Sequence, residues 1–220
     1  MNFKNYQSIV FDCDGVILNS NKLKTHAFGV ATSSYGLEAT NQLVSYHLLN
    51  GGVSRYEKFN YFITNILNIK FQKEKFLKKL LFDYSIAIKD LLLEAELTHG
   101  LQEIRDLNTD TLWSIVSGGD ELELRNVFAR KGVYHLFDGG IYGSPDKKND
   151  ILITQIDKGN IKLPALYLGD SKLDHQVSIA NGLDFIFVSA WTEFEYYKEY
   201  CKKYDIKSIA RVYDLLSEFW

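Results

Sequence analysis

The sequence predicts a doubly wound parallel α/β sheet with an inserted α-helical cap. Two observations carry that expectation. Five short apolar runs, each closed by a Gly/Asp/Ser cluster, alternate with helical stretches. A long interval after the first run carries helical periodicity alone. Near-continuous apolar strands suit a parallel sheet covered on both faces. Strands alternating with helices imply βαβ units.

The elements follow in chain order. "SIVFD" (8–12) is the first strand. From about Asn19 to Leu97 no strand pattern occurs. There Tyr56, Phe59, Ile63, Ile66 and Leu67 share one helical face, and Leu77, Leu80, Leu81, Tyr84, Ile88, Leu91 and Leu92 form a second stripe. "TLWSIVSGG" (111–119) resumes the sheet, and "DELELRNVFARKG" (120–132) is a helix opened by an acidic cap and closed at Gly132. "GGIYGS" (139–144), "ALYLGD" (165–170) and "DFIFVS" (184–189) are the remaining strands. Between them "KNDILITQIDKG" ends at Gly159 and "SKLDHQVSIANG" ends at Gly182. Trp191 and "EFEYYKEYCKKY" (193–204) give an aromatic helix, read as packing or as a dimer surface. The expected organisation is a core of residues 1–18 and 95–220 and a cap of residues 19–94.

Composition narrows the partners. Lys and Arg number 25 against 28 Asp and Glu, for a net charge of −3, and the basic residues are scattered. Nothing there forms a nucleic-acid footprint. Cys13 and Cys201 belong to no CxxC or Cys/His cluster and make no disulfide framework. The opening "MNFKNYQSIVFDCDG" lacks the apolar stretch of a signal peptide, and no window approaches the ~18 apolar residues that span a bilayer. A soluble cytoplasmic protein, monomeric or homodimeric, is the expectation.

Ligands of such sheets bind beyond the carboxyl ends of the strands. Four ends here carry polar residues of one kind: Asp12 and Asp14; Ser117, Gly118 and Gly119; Lys147 and Lys148; Asp170, Ser171 and Asp174. Clustered carboxylates without His or Cys favour a hard divalent cation, Mg²⁺, which takes one or two carboxylates plus phosphate oxygens. Ser117 and the glycine amides can hold phosphate oxygens, and a lysine compensates the aspartates. An Asp can then serve as nucleophile, and a second one as general acid and base.

These residues also resemble a family. "FDCDGVILNS" is similar to the Asp-x-Asp-Gly motif of the haloacid dehalogenase-like phosphohydrolases. "SIVSGG" resembles their second motif, the lysine of "SPDKKNDIL" their third and "YLGDSKLD" their fourth, in order and at strand ends throughout. The resemblance, nearest to the phosphoglycolate phosphatase and β-phosphoglucomutase branch, implies roles. Asp12 would be nucleophile and Mg²⁺ ligand. Asp14 would be the acid/base, with its carbonyl on the metal. Ser117 and Gly118 would bind phosphate, and Asp170 would be a ligand. Asp174 would stand in the metal's outer shell or hold the lysine. Lys148 is preferred as that lysine because it opens a helix three residues beyond Pro145, with Lys147 as the alternative. The substrate would be a small phosphate ester, a sugar phosphate. Asp14 argues against the dehalogenase branch, which uses one Asp, and against phosphonate-cleaving relatives, which replace the second Asp and need a cap lysine.

The cap segment "NGGVSRYEKF" (50–59) is similar to loops that aim an arginine at the substrate, so Arg55 is a candidate contact; equally, it suits a helix–helix turn with Arg55 on the surface. The mutases place a histidine about ten residues after the acid. Lys24 stands there instead, which favours a phosphatase over the alternative, a β-phosphoglucomutase-like isomerase. Lys24 itself reads first as a solvated helix-face lysine, with a lysine pointing at the site from the first cap helix as the alternative. The five histidines show no metal-ligand spacing; each reads as a surface or satisfied polar residue, with His175 nearest the site. Cys13 is turned by strand alternation into the core.

Overall fold

The structure, a computed structural model, describes residues 5–219; residues 1–4 and 220, the ends of the expected core segments, lie outside the described residues. Six strands form one parallel sheet: β1 (Ser8–Phe11), β2 (Leu112–Asp120), β3 (Gly140–Ser144), β4 (Ala165–Gly169), β5 (Asp184–Val188) and β6 (Ser208–Ile209). Their order is β3-β2-β1-β4-β5-β6. The chain begins mid-sheet, builds outward to β3, then crosses β1 to build the other way. The crevice lies where that order reverses, past the carboxyl ends of β1, β2 and β4.

Alternation within the strands divides the interior. Ile9, Phe11, Trp113, Ile115, Leu166 and Leu168 face one core, while Val10, Val116, Tyr167 and Phe187 face the other. Every residue of β1 and β4 is buried, which is why these strands read as unbroken apolar runs. The helices α6 (Glu121–Arg130), α7 (Lys148–Asp157) and α8 (Lys172–Ala180) each end two residues ahead of the glycine expected to close them. A further helix, α5 (Leu101–Leu107), and the two-residue β6 carry too short a pattern to be read from sequence. The aromatic stretch forms α9 (Tyr197–Tyr204), followed by α10 (Leu215–Phe219).

The insertion after β1 holds four α-helices and no strand ahead of α5 and β2: α1 (Asn21–Thr32), α2 (Leu37–Leu49), α3 (Arg55–Tyr61), which runs into a π turn at Phe62–Ile66, and α4 (Lys73–Glu94). The buried stripe of α4 is Leu80, Tyr84, Ile88 and Leu92, one residue per turn. Phe28 and Phe59 pack on Tyr84, with ring centroids 4.7 and 5.8 Å away. The same apolar cluster continues from these rings into the sheet, so cap and core share one interior face. The two crossing segments are stapled together: Asn19 N–H donates to Glu96 O (2.9 Å) and Thr98 N–H to Ile17 O (2.8 Å). Among the described residues no helix is long and apolar enough to cross a membrane.

Candidate active site

Two strand ends and two helix starts deliver the charged groups. Asp12 follows β1, and its amide donates to Leu168 O of β4 at 2.8 Å. Asp170 follows β4. Lys148 is the first residue of α7, and its buried ammonium lies 2.9 Å from Asp12 Oδ1 and 2.6 Å from Asp174 Oδ1. Asp174 sits in the first turn of α8 as half of a capping box: its Oδ2 accepts from Ser171 N–H (3.2 Å) and Ser171 Oγ (2.6 Å). Tyr167 Oη also donates to Oδ1 of Asp174 at 3.1 Å. Asp174 therefore holds the lysine, and its oxygens are fully engaged. Lys147 lies outside, exposed, 2.7 Å from Glu57.

The carboxylate oxygens of Asp12, Asp170 and Asp174 converge within 4.8 Å of one another. One ammonium, Lys148, pairs with two of them, Asp12 and Asp174. Burial, opposed by Lys148 and reinforced by Asp174 and Asp14, raises Asp12 to about 7. Burial together with Asp12 and Asp174 raises Asp170 well above the usual carboxylate range. Burial would lower Lys148, but Asp12 and Asp174 more than offset it and raise it. The cluster is thus short of positive charge. Among the described residues, Asp12 Oδ1 accepts from Cys13 N–H (2.7 Å) and Asp170 Oδ2 from Asn21 Nδ2 (2.7 Å), which leaves Asp12 Oδ2 and Asp170 Oδ1 free. An all-oxygen donor set with uncompensated charge fits a hard cation such as Mg²⁺.

Asp14 is held from the cap side. Ser20 Oγ donates to its Oδ1 at 2.6 Å and Lys24 pairs with its Oδ2. Burial would raise Asp14, but Lys24 and Ser20 outweigh it and hold the group below its ordinary value. Lys24 is therefore not the solvated lysine expected from its helix. It is 8% exposed, because α1 lies across the mouth of β1 and turns that face inward. The expectation for His175 also fails. One residue beyond Asp174 the helix has turned away, and His175 packs on Tyr200 and Phe185. His47, read with the other histidines as a surface or satisfied polar residue, is hydrogen-bonded at both ring nitrogens and lines the cavity instead. Asn21 was likewise missed: it bridges Asp170 and Trp191 O.

Ser117 and Gly118 lie within β2, where the register slips between Val116 and Asp120. Ser117 is fully buried, and its Oγ accepts from Gly119 N–H at 3.0 Å, while Gly118 borders the cavity. A Cβ at Gly118 would strike Gly52 O of the cap, and Gly52 itself has φ +80°, so glycine at both places lets cap and core meet. Three consecutive cap residues complete that junction. Arg55 pairs with Glu123, Tyr56 Oη donates to Asp120 Oδ2 (2.9 Å), and Glu57 meets Lys147. Arg55 is buried in the cavity wall, not on the surface, and its guanidinium is committed to Glu123. Removing one partner of so enclosed a pair leaves the other uncompensated. We expect Arg55→Met to cost about 3 kcal/mol, or roughly 6–12 °C in Tm for a chain of this size. Arg55→Met/Glu123→Met should recover most of the loss. Thermal melts of the cycle check this, and a single variant as stable as the parent would refute the latch.

A cavity of about 400 Å³ separates this cap surface from Asp12, Asp14 and Asp170. Fold and site together define a capped, doubly wound α/β protein with buried carboxylates and a lysine gathered at the switch point of the sheet. The chain belongs to the haloacid dehalogenase-like hydrolases, whose family model matches residues 9–188. No curated protein matches it. Solved structures share its fold at low identity. A phosphonoacetaldehyde hydrolase-like protein from Oleispira antarctica superposes with a TM-score of 0.76 at 12% identity, covering 97% of this chain and 91% of that one. A predicted phosphoglycolate phosphatase from Haemophilus somnus gives 0.72 at 15%, covering 98% and 99%. A predicted phosphatase from Clostridium acetobutylicum gives 0.71 at 19%, covering 96% of each chain.

Proposed function

We propose that this hydrolase is a Mg²⁺-dependent phosphatase that cleaves a small phosphorylated metabolite, a sugar phosphate, through an aspartyl-phosphate. The observation that carries the proposal is Asp12, raised by burial and placed between Lys148 and Asp170 with Asp14 alongside. The phosphatase descriptions of two fold neighbours support it. Residues 19–94 are taken as the unit that selects the substrate.

In this scheme Asp12 Oδ2 attacks phosphorus, the bond to the ester oxygen breaks, and Asp14 gives that oxygen a proton. Asp14 then takes a proton from the water that attacks the aspartyl-phosphate, releasing phosphate and restoring Asp12. Lys148 and the amides around Ser117 and Gly118 stabilise the charge on the phosphoryl oxygens. Mg²⁺, held by Asp12, Asp170 and the Asp14 carbonyl, would supply further neutralisation of that charge. Lys24 keeps Asp14 in the basic form needed for the second half-reaction; the acidic form needed for the first requires that contact to loosen.

The same contact favours a second reading. Lys24 couples the first cap helix to Asp14, as the mutases' histidine does, so an isomerase acting within one sugar phosphate is the alternative. Phosphate release from a panel of sugar phosphates, with Mg²⁺ and with EDTA, tests the proposal. Release that needs Mg²⁺ is expected, and no release across the panel would sink it. Conversion of β-glucose 1-phosphate to glucose 6-phosphate faster than it loses phosphate, followed by NMR, would favour the isomerase.

A further inference from the structure

Among the described residues, the buried cations around the cavity are paired with carboxylates, with one exception. Lys24 has Asp14, Arg55 has Glu123, and Lys148 has Asp12 and Asp174. Lys58, on α3, is 2% exposed and lines the same cavity, yet among the described residues its ammonium meets no carboxylate. Its hydrogen-bond partner is His47 Nδ1, at 2.7 Å.

The direction of that bond follows from the chain it belongs to. Thr25 Oγ1 donates its only proton to Glu193 Oε2 at 2.7 Å. It must then accept from His47 Nε2, 2.9 Å away, so Nε2 carries the ring proton and Nδ1 accepts from Lys58. Burial, with Lys58 and Lys24 beside it, lowers His47 to about 2, so the ring is neutral. Lys58 thus gives one N–H to a neutral acceptor and has two more to offer. Burial and Lys24 press it down to about 7, as befits an ammonium without a counter-ion. A side chain kept only for packing would be better served by methionine or leucine at this depth. Asp12 and Asp170 border the same cavity, where Lys148 and a bound Mg²⁺ would offset the charge of a phosphate, so the cavity suits a ligand that brings a second anionic group to Lys58.

We propose that Lys58, oriented by His47, binds a second anionic group of the substrate, which makes the preferred substrates small phosphate monoesters carrying a carboxylate or a second phosphate. The inference rests on the phosphatase reading. A ligand anion would supply the missing counter-ion in a water-poor pocket, where charge-assisted hydrogen bonds are strong.

The test uses the full chain with Mg²⁺ and three non-hydrolysable ligands of one chain length, compared by calorimetry: propylphosphonate, 3-phosphonopropionate and propane-1,3-diphosphonate. At least one doubly anionic ligand should bind about tenfold tighter or more than propylphosphonate. Whichever gains more identifies carboxylate or phosphate. In Lys58→Met, checked for folding by its melt, that gain should shrink to about twofold. The comparison in the parent protein stands even if the variant does not fold. Equal binding of all three overturns the inference while leaving the phosphatase reading intact. Borohydride trapping of an aldehyde-bearing phosphonate on Lys58 would also overturn it, by assigning the amine to imine chemistry. If none of the three binds and no ester releases phosphate, the phosphatase reading falls, and this inference with it.

Discussion

Asp12→Asn should reduce phosphate release by about a thousandfold or more while raising the melting temperature of the metal-free protein. The two effects share one cause. An amide cannot form the aspartyl-phosphate, so the covalent route closes. The carboxylate it replaces is buried among other carboxylates with a single ammonium to serve them. Burial raises Asp12 from 3.8 to about 7. Between those values the folded chain holds a proton that the unfolded chain has lost, so stability falls as pH rises and the whole penalty is present above about 7. Asparagine carries no such penalty. The gap in Tm between variant and parent, measured in EDTA, should therefore widen from pH 5 to pH 8, and saturating Mg²⁺ should narrow it by supplying the missing charge. Retained turnover would remove Asp12 from the nucleophile's place. A variant less stable at pH 8 in EDTA would mean that the cluster is not short of positive charge.

Lys148→Met acts in the opposite sense on stability. It strips the ammonium from two carboxylates whose side chains are 3% and 0% exposed. Breaking such a pair from one side costs about 3–5 kcal/mol, or roughly 6–20 °C in Tm at this chain length. Turnover should fall about a hundredfold or more with the loss of a positioned charge. Mg²⁺ should restore part of the melting temperature, because a cation on Asp12 replaces some of what the ammonium gave. Lys147→Met, which alters only an exposed pair, should melt within a degree or so of the parent. Equal melting curves for both lysine variants would show that Lys148 does not hold the cluster.

The legible parts of this molecule are those whose cause lies within a few residues. Asp12 and Asp14 stand one residue apart after an apolar run. Ser171 and Asp174 carry the spacing of a capping box, and the stripe of α4 repeats once per turn. Lys148 was separable from Lys147 because one opens a helix and the other precedes it. Less of the cap's function was visible. Lys24 reads as surface from its own helix and is buried only because α1 crosses the end of β1. Arg55 offered two local readings, and neither could include Glu123, which is 68 residues away. His47 and Lys58 are 11 residues apart, with no spacing that announces a pair; α2 and α3 bring them together.

Sequence alone thus determined the doubly wound class, the helical insertion and the carboxylates and lysine that meet beyond the strand ends. Each is written in periodicity or in a short motif, and a local pattern needs no knowledge of what packs upon it. Only the tertiary structure decided the strand order that brings β1, β2 and β4 to one crevice, the latch between α3 and α6, and the ammonium of Lys58 set on a neutral imidazole with no carboxylate beside it. A charge is paired or unpaired by its neighbours in space, and those neighbours come from segments whose meeting no local pattern records.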